Sequence, residues 1–139
     1  MKFVLDTDVV LAGFMSPTGA SAALLQFAHE GRFTMAISVP LAIEYEAVAT
    51  RSVHLARMGV DAEFVEGLID SVCAIAEKTQ IDTGHRPQTR DPNDEMVLET
   101  AIGSRADAIV TFNRRDLAAA AKRYEIDCLL PREALEKVR

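Results

Sequence analysis

Two short acidic stretches carry the chemistry open to this chain: Leu5-Asp6-Thr7-Asp8 and Asp91-Pro92-Asn93-Asp94. With Glu44 and the Asn113/Asp116 pair, they spread acidic or amide side chains over four clusters in 139 residues. A fold that gathered them would hold carboxylates against one another. Carboxylates so held resist ionising together, and a hard divalent cation with oxygen ligands relieves them. Mg²⁺ or Mn²⁺ suits such donors better than zinc. The chemistry such a site serves is metal-dependent attack on a phosphodiester.

Each candidate also has a plain structural role. Asp6 directly follows the apolar run Phe3-Val4-Leu5. A carboxylate there needs a partner or an ion, although Asp is also a common helix cap. Asp91, Pro92 and Asp94 spell an ordinary helix start, with the cap, the first-turn proline and an acid in the first turn. The helix period separates the two acids. At about 100° per residue, Val97, Leu98, Ala101 and Ile102 share one face, and Asp94 falls in its middle. Glu95 and Glu99 fall towards the edge of that face or beyond. Asp94 is therefore expected to point into a cleft, and Asp91 to cap. Glu44 borders the stripe of Leu41, Tyr45, Val48 and Ala49, whereas Glu46 lies towards the exposed side. Asn113-Arg114-Arg115-Asp116 again reads as a cap and a first-turn acid, and either residue is a candidate at a strand end.

Other chemistries find little in the sequence. His29, His54 and His85 have no metal-ligand spacing; His85 stands with Arg86 and Arg90 in a polar stretch and is a candidate substrate contact. Cys73 and Cys128 form no CxxC pair and read as small core residues. There is no GxxxxGK[ST], GxGxxG or GxSxG, so a phosphate-binding loop, a dinucleotide site and a serine nucleophile have no support.

The elements that must position these residues alternate in type. Lys2 to Leu5, Thr34 to Ile37, Ala108 to Phe112 and Asp127 to Leu130 read as short strands. Helices are expected over Ala20 to Glu30, Val39 to about Arg51, Asp61 to Lys78, Asp94 to Arg105, Arg114 to Tyr124 and Pro131 to Val138. Thr79 to Asn93 reads as a polar loop around a short strand. The alternation predicts a three-layer α/β/α sandwich with a mostly parallel central sheet, in one domain over 1–139. In such sheets ligands sit beyond the carboxyl ends of the strands. Asp6, Thr111 and Asn113 stand at such ends.

Hydrophobic residues make up 49% of the chain, enough for a core in one domain. No apolar stretch is long enough to span a membrane, and Asp6 interrupts the first apolar run too early for a signal peptide. The expected location is cytoplasmic. The net charge of −6 at first disfavours a nucleic-acid partner. Cations at the acidic clusters would offset it, and the basic set is mainly arginine, whose planar fork suits phosphate.

Taken in order, Phe3-Val4-Leu5-Asp6-Thr7-Asp8-Val9-Val10, then Glu44-Tyr45, then Asp91-Pro92-Asn93-Asp94 with Ala101, then Ile109-Val110-Thr111-Phe112-Asn113-Arg114-Arg115-Asp116-Leu117, the chain resembles PIN-domain proteins. The toxin ribonucleases of bacterial toxin–antitoxin pairs (VapC-like) are their best-known small members. The resemblance implies a metal-dependent endoribonuclease acting on RNA with Mg²⁺ or Mn²⁺. It implies Asp6, Glu44 and Asp94 as the first three acids and Asn113 or Asp116 in the fourth place. Asp91 matches the acid of a DPxD variant. The expected partners are an antitoxin protein and, in a homodimer, a second copy of the chain. Asp8 stands where the family often has Asn, and Phe112-Asn113 where it often has a second Asp or Gly-Asp. Two other readings stay open. A haloacid-dehalogenase-like phosphatase would use Asp6 as nucleophile and Asp8 as acid/base. An inactive PIN-like binding module would keep the fold without the chemistry.

Overall fold

The buried sequence Phe3-Val4-Leu5 forms β1 (Lys2–Leu5), a strand apolar on both faces, as the interior of a parallel sheet requires. The computed structural model describes residues 1–139, the side chain of His85 excepted, so the role expected of His85 lies outside what is described. The remaining strands are β2 (Thr34–Ile37), β3 (Glu77–Lys78), β4 (Ala108–Val110) and β5 (Asp127–Leu129). Their order is β3-β2-β1-β4-β5 and every pairing is parallel. Phe3 pairs with Ala108 and Leu5 with Val110, so β1 and β4 end side by side.

Eight α-helices cover the sheet: α1 (Thr7–Met15), α2 (Ala20–His29), α3 (Val39–Ala49), α4 (Ser52–Met58), α5 (Ala62–Ile75), α6 (Pro92–Ser104), α7 (Arg114–Lys122) and α8 (Pro131–Val138). From β1 the chain moves to one side through β2 and β3, then crosses to the other through β4 and β5. Right-handed crossovers running in opposite directions put helices on opposite faces, which makes three layers. The β1/β4 boundary is the switch point of the sheet, where open α/β folds bind ligands. Both sheet edges are short. β3 has two residues, both exposed, with Glu77 bound to Lys2 at 2.8 Å.

The four strands expected by range form, with β4 and β5 each ending a residue or two early, whereas the stretch from Thr79 to Asn93 holds a 3₁₀ turn at Thr83–His85 in place of the short strand expected there. Four further differences stand out, three of them with local causes. A helix expected over Asp61 to Lys78 stops at Ile75, and Glu77–Lys78 pairs with β2 instead. α1 departs from the sequence reading: Val9, Val10 and Gly13 are weak helix formers, and Leu5-Asp6-Thr7-Asp8 reads as an acidic motif where it also starts a helix. α4 has no buried residue, so it offers no apolar period to read. Cys73 and Cys128 are half-buried rather than core residues. Among the described residues no single helix is long and apolar enough to cross a membrane; α1 and α2 meet that test only as a pair bent by 98°.

Candidate active site

β1 delivers Asp6 to the switch point. Its backbone N–H donates to Val110 O at 2.9 Å, continuing the ladder one residue past the strand. Its carboxylate then does two things. Oδ1 accepts from Thr7 N at 2.8 Å and caps α1, while Oδ2 accepts from Thr111 Oγ1 at 2.7 Å. Thr111 Oγ1 itself accepts from Asn113 N at 2.9 Å, so one buried hydroxyl ties the ends of β1 and β4 to the start of α7. Asp6 is only 4% exposed. Burial raises its pKa, the Thr111 and Thr7 hydrogen bonds oppose the shift, and the charges of Asp8 and Asp91 add to it. Tyr45, fully buried on α3, donates its hydroxyl to Leu5 O directly before Asp6. Burial, then Asp6 and Cys73, push its phenol well above the ordinary range, so it stays a neutral donor.

Asp94 arrives from the other side. Asp91 caps α6 by accepting from Asn93 N at 2.9 Å, and Pro92 opens the first turn, as its residue types imply. One turn in, Asp94 is 4% exposed and its Oδ2 has no hydrogen-bond partner. Its pKa rises from 3.8 to about 6, first through burial and then through the charges of Asp6, Asp91, Asp116 and Asp8. Asp116 is exposed on α7 and accepts from Asn113 Nδ2 at 2.7 Å.

The site thus has Asp6 and Asp94 buried at its centre, with Asp8, Asp91 and Asp116 acting on it from the surface. Glu44 is half-buried on the helix that carries Tyr45, but it is not among the charges that weigh most on Asp6 or Asp94. Among the described residues no three His, Cys, Asp or Glu side chains are gathered into a ready-made metal site. The ligand set of Asp6, Glu44 and Asp94 is therefore not closed in this arrangement. Glu46 is exposed.

Glu95 and Glu99 correct the sequence reading, which put them at the edge of the α6 face or beyond. They are 6% and 2% exposed. Arg86 clasps Glu99 with two bonds of 2.7 Å, and Glu95 Oε1 accepts the backbone N–H groups of Gln88 and Thr89. The polar loop folds back over α6 and buries a second side of it, which no period within the helix could reveal. Together these bonds hold the segment that leads into Asp91. Thr111 was visible only as a polar strand end; its part in orienting Asp6 needed the neighbouring strand.

Compared with protein families, the chain matches the PIN domain over residues 2–115. It belongs to the PIN-domain family. A search of curated proteins finds no match. The matched span holds Asp6, Glu44, Asp91, Asp94 and Asn113, and ends one residue before Asp116. PIN domains are in general nucleases, and this PIN domain falls in that class. The family displaces the phosphatase reading.

Proposed function

We propose that this PIN domain is an endoribonuclease dependent on Mg²⁺ or Mn²⁺ and the toxin of a toxin–antitoxin pair. One observation carries the proposal: a buried carboxylate oxygen of Asp94 that has no partner and faces only negative charge. Such an atom suits a cation, and the surrounding donors are the hard oxygens that Mg²⁺ and Mn²⁺ prefer. Asp6 and Asp94 would hold the ion, with Asp91, Asp116, Asn113 and Glu44 completing its surroundings. When bound, the ion supplies positive charge and Lewis acidity towards the phosphodiester.

The chain's own residues do the rest. Thr111 fixes Asp6 by donating to Oδ2, a bond that favours the ionised carboxylate and opposes the effect of burial. Tyr45 holds the end of β1 without adding charge. Arg90 and Arg115, both exposed, precede Asp91 and Asp116 in the chain and suit the phosphates of a bound strand. The toxin role, an antitoxin partner, a homodimer and a cytoplasmic site of action belong to the same proposal and rest on the resemblance.

Cleavage of a labelled single-stranded RNA is the test. The parent should cut with Mg²⁺ or Mn²⁺ and not in chelator. Asp94→Asn should lose roughly a hundredfold or more in rate, since it removes the charge that holds the ion. Glu46→Gln should cut like the parent. Expression of the parent should arrest growth and Asp94→Asn should not. Equal losses from Asp94→Asn and Glu46→Gln would sink the site assignment. RNA binding without cleavage would favour the inactive module, a reading supported by the absence of a closed ligand set among the described residues.

A further inference from the structure

We propose that the cavity beside Phe112 is a nucleobase subsite in which Phe112 is the stacking platform for the RNA strand cut at the Asp6/Asp94 site. The inference rests on the nuclease reading and adds how the substrate is held. Phe112 is 53% exposed, although the four residues before it, Ala108 to Thr111, are all buried. Its two chain neighbours belong to the site: Thr111 bonds Asp6, and Asn113 bonds Asp116. Consecutive Cα atoms lie about 3.8 Å apart, so Phe112 stands one residue from Thr111 and one from Asn113, which bond Asp6 and Asp116.

The ring also lines a cavity of about 390 Å³, within the size range of small-molecule sites. Its other walls include Ala12, Gly19, Ala20, Leu130 and Pro131, with the exposed Arg132 at the margin. Small side chains on α1 and α2 leave the space open. Apolar walls exclude a bare phosphate as the main occupant. A flat base on an aromatic face, with an arginine for the adjoining phosphate, fits both the lining and the charge. The place of Phe112 between Thr111 and Asn113, both bonded to acids of the site, picks the base out over an unrelated apolar ligand.

The chain has no tryptophan, so Phe112→Trp introduces a single indole reporter. In an Asp94→Asn background, which keeps RNA intact, a hexa-adenylate should quench its fluorescence in a saturable way. An abasic ribose-phosphate hexamer of the same length should not. In the cleaving protein, Phe112→Ala should raise KM roughly tenfold or more, with the loss falling on KM more than on kcat, and Phe112→Trp should restore it. Val53→Ala, at an exposed apolar residue of α4, controls for general stickiness. No quenching by hexa-adenylate, or equal quenching by the abasic strand, overturns the subsite even where the parent cuts RNA. An indole signal that follows protein concentration and ignores RNA assigns the cavity to a protein partner and also overturns it. Quenching by hexa-adenylate alone supports the subsite even if the parent fails to cut, and that failure would count against the nuclease reading only.

Discussion

Asp94 makes the metal-free protein sensitive to pH in a definite direction. The folded chain keeps this proton up to about pH 6, whereas the unfolded chain releases it near 3.8. Between those values the folded state binds more protons, so this group's contribution to stability falls as pH rises through the window. The penalty is complete above about pH 6. Asp94→Asn removes it at nearly constant volume. In chelator at pH 7 the variant should melt higher than the parent, by about 1 kcal/mol or roughly 4 °C. At pH 4 the advantage should shrink towards zero. Thermal melts at both values check this; a variant less stable at pH 7 would mean that Asp94 has a structural bond not seen here. Asp6→Asn is a poorer probe, because both oxygens of Asp6 are engaged and the amide cannot replace both acceptors.

At the scale of elements, the loop from Arg86 to Asp91 and helix α6 act as one part. Arg86→Ala would leave Glu99 buried and unpaired. The pair is partly exposed through the arginine, so the variant should be less stable, by less than the loss of one partner from a fully buried pair. Urea unfolding measures it, and a change under 0.5 kcal/mol would show that the clasp adds nothing. Gly103 tests the packing of the same helix from its other end. Gly→Ala inside a helix ordinarily stabilises. Here an added Cβ would meet Gln80 O at 2.7 Å, a backbone atom, so Gly103→Ala should destabilise by about 1–2 kcal/mol. The sequence showed part of this arrangement. The stripe of Val97, Leu98 and Ala101 places Asp94 inward, and the residue types at 91 to 94 mark a cap. It did not show Glu95 and Glu99 as buried, because the loop that covers them is joined to α6 only in the fold. Four of the five strands were legible through their apolar residues; β3 was not, because Glu77 and Lys78 are both charged and exposed. α4 was not, because it buries nothing.

For the whole molecule, the negative charge is concentrated. Five of its 21 acidic residues act at or around one site, and the others are nearly balanced by the 15 basic residues. Mg²⁺ should therefore stabilise the folded chain by linkage, by about 2.7 kcal/mol at a hundredfold excess over its Kd. RNA affinity should rise with Mg²⁺ and fall with added monovalent salt. Melts in chelator and in excess Mg²⁺ decide the first point, and a melting temperature indifferent to Mg²⁺ would remove the ion from the mechanism.

The blunt edges of the sheet govern how copies of the chain can meet. β3 offers two residues of backbone, with its Glu77 already held by Lys2, and the three-residue β5 closes the other end. Neither is a usable template for a visiting strand. Self-association by sheet extension, the usual route from an open sheet to fibres, has no foothold here. A second copy has to approach helix against helix, and Val39 and Ile43, four residues apart on α3 and both largely exposed, are the apolar pair it would find. Such a dimer would bury side chains and leave the amide hydrogens of the edge strands exchanging as they do in the monomer.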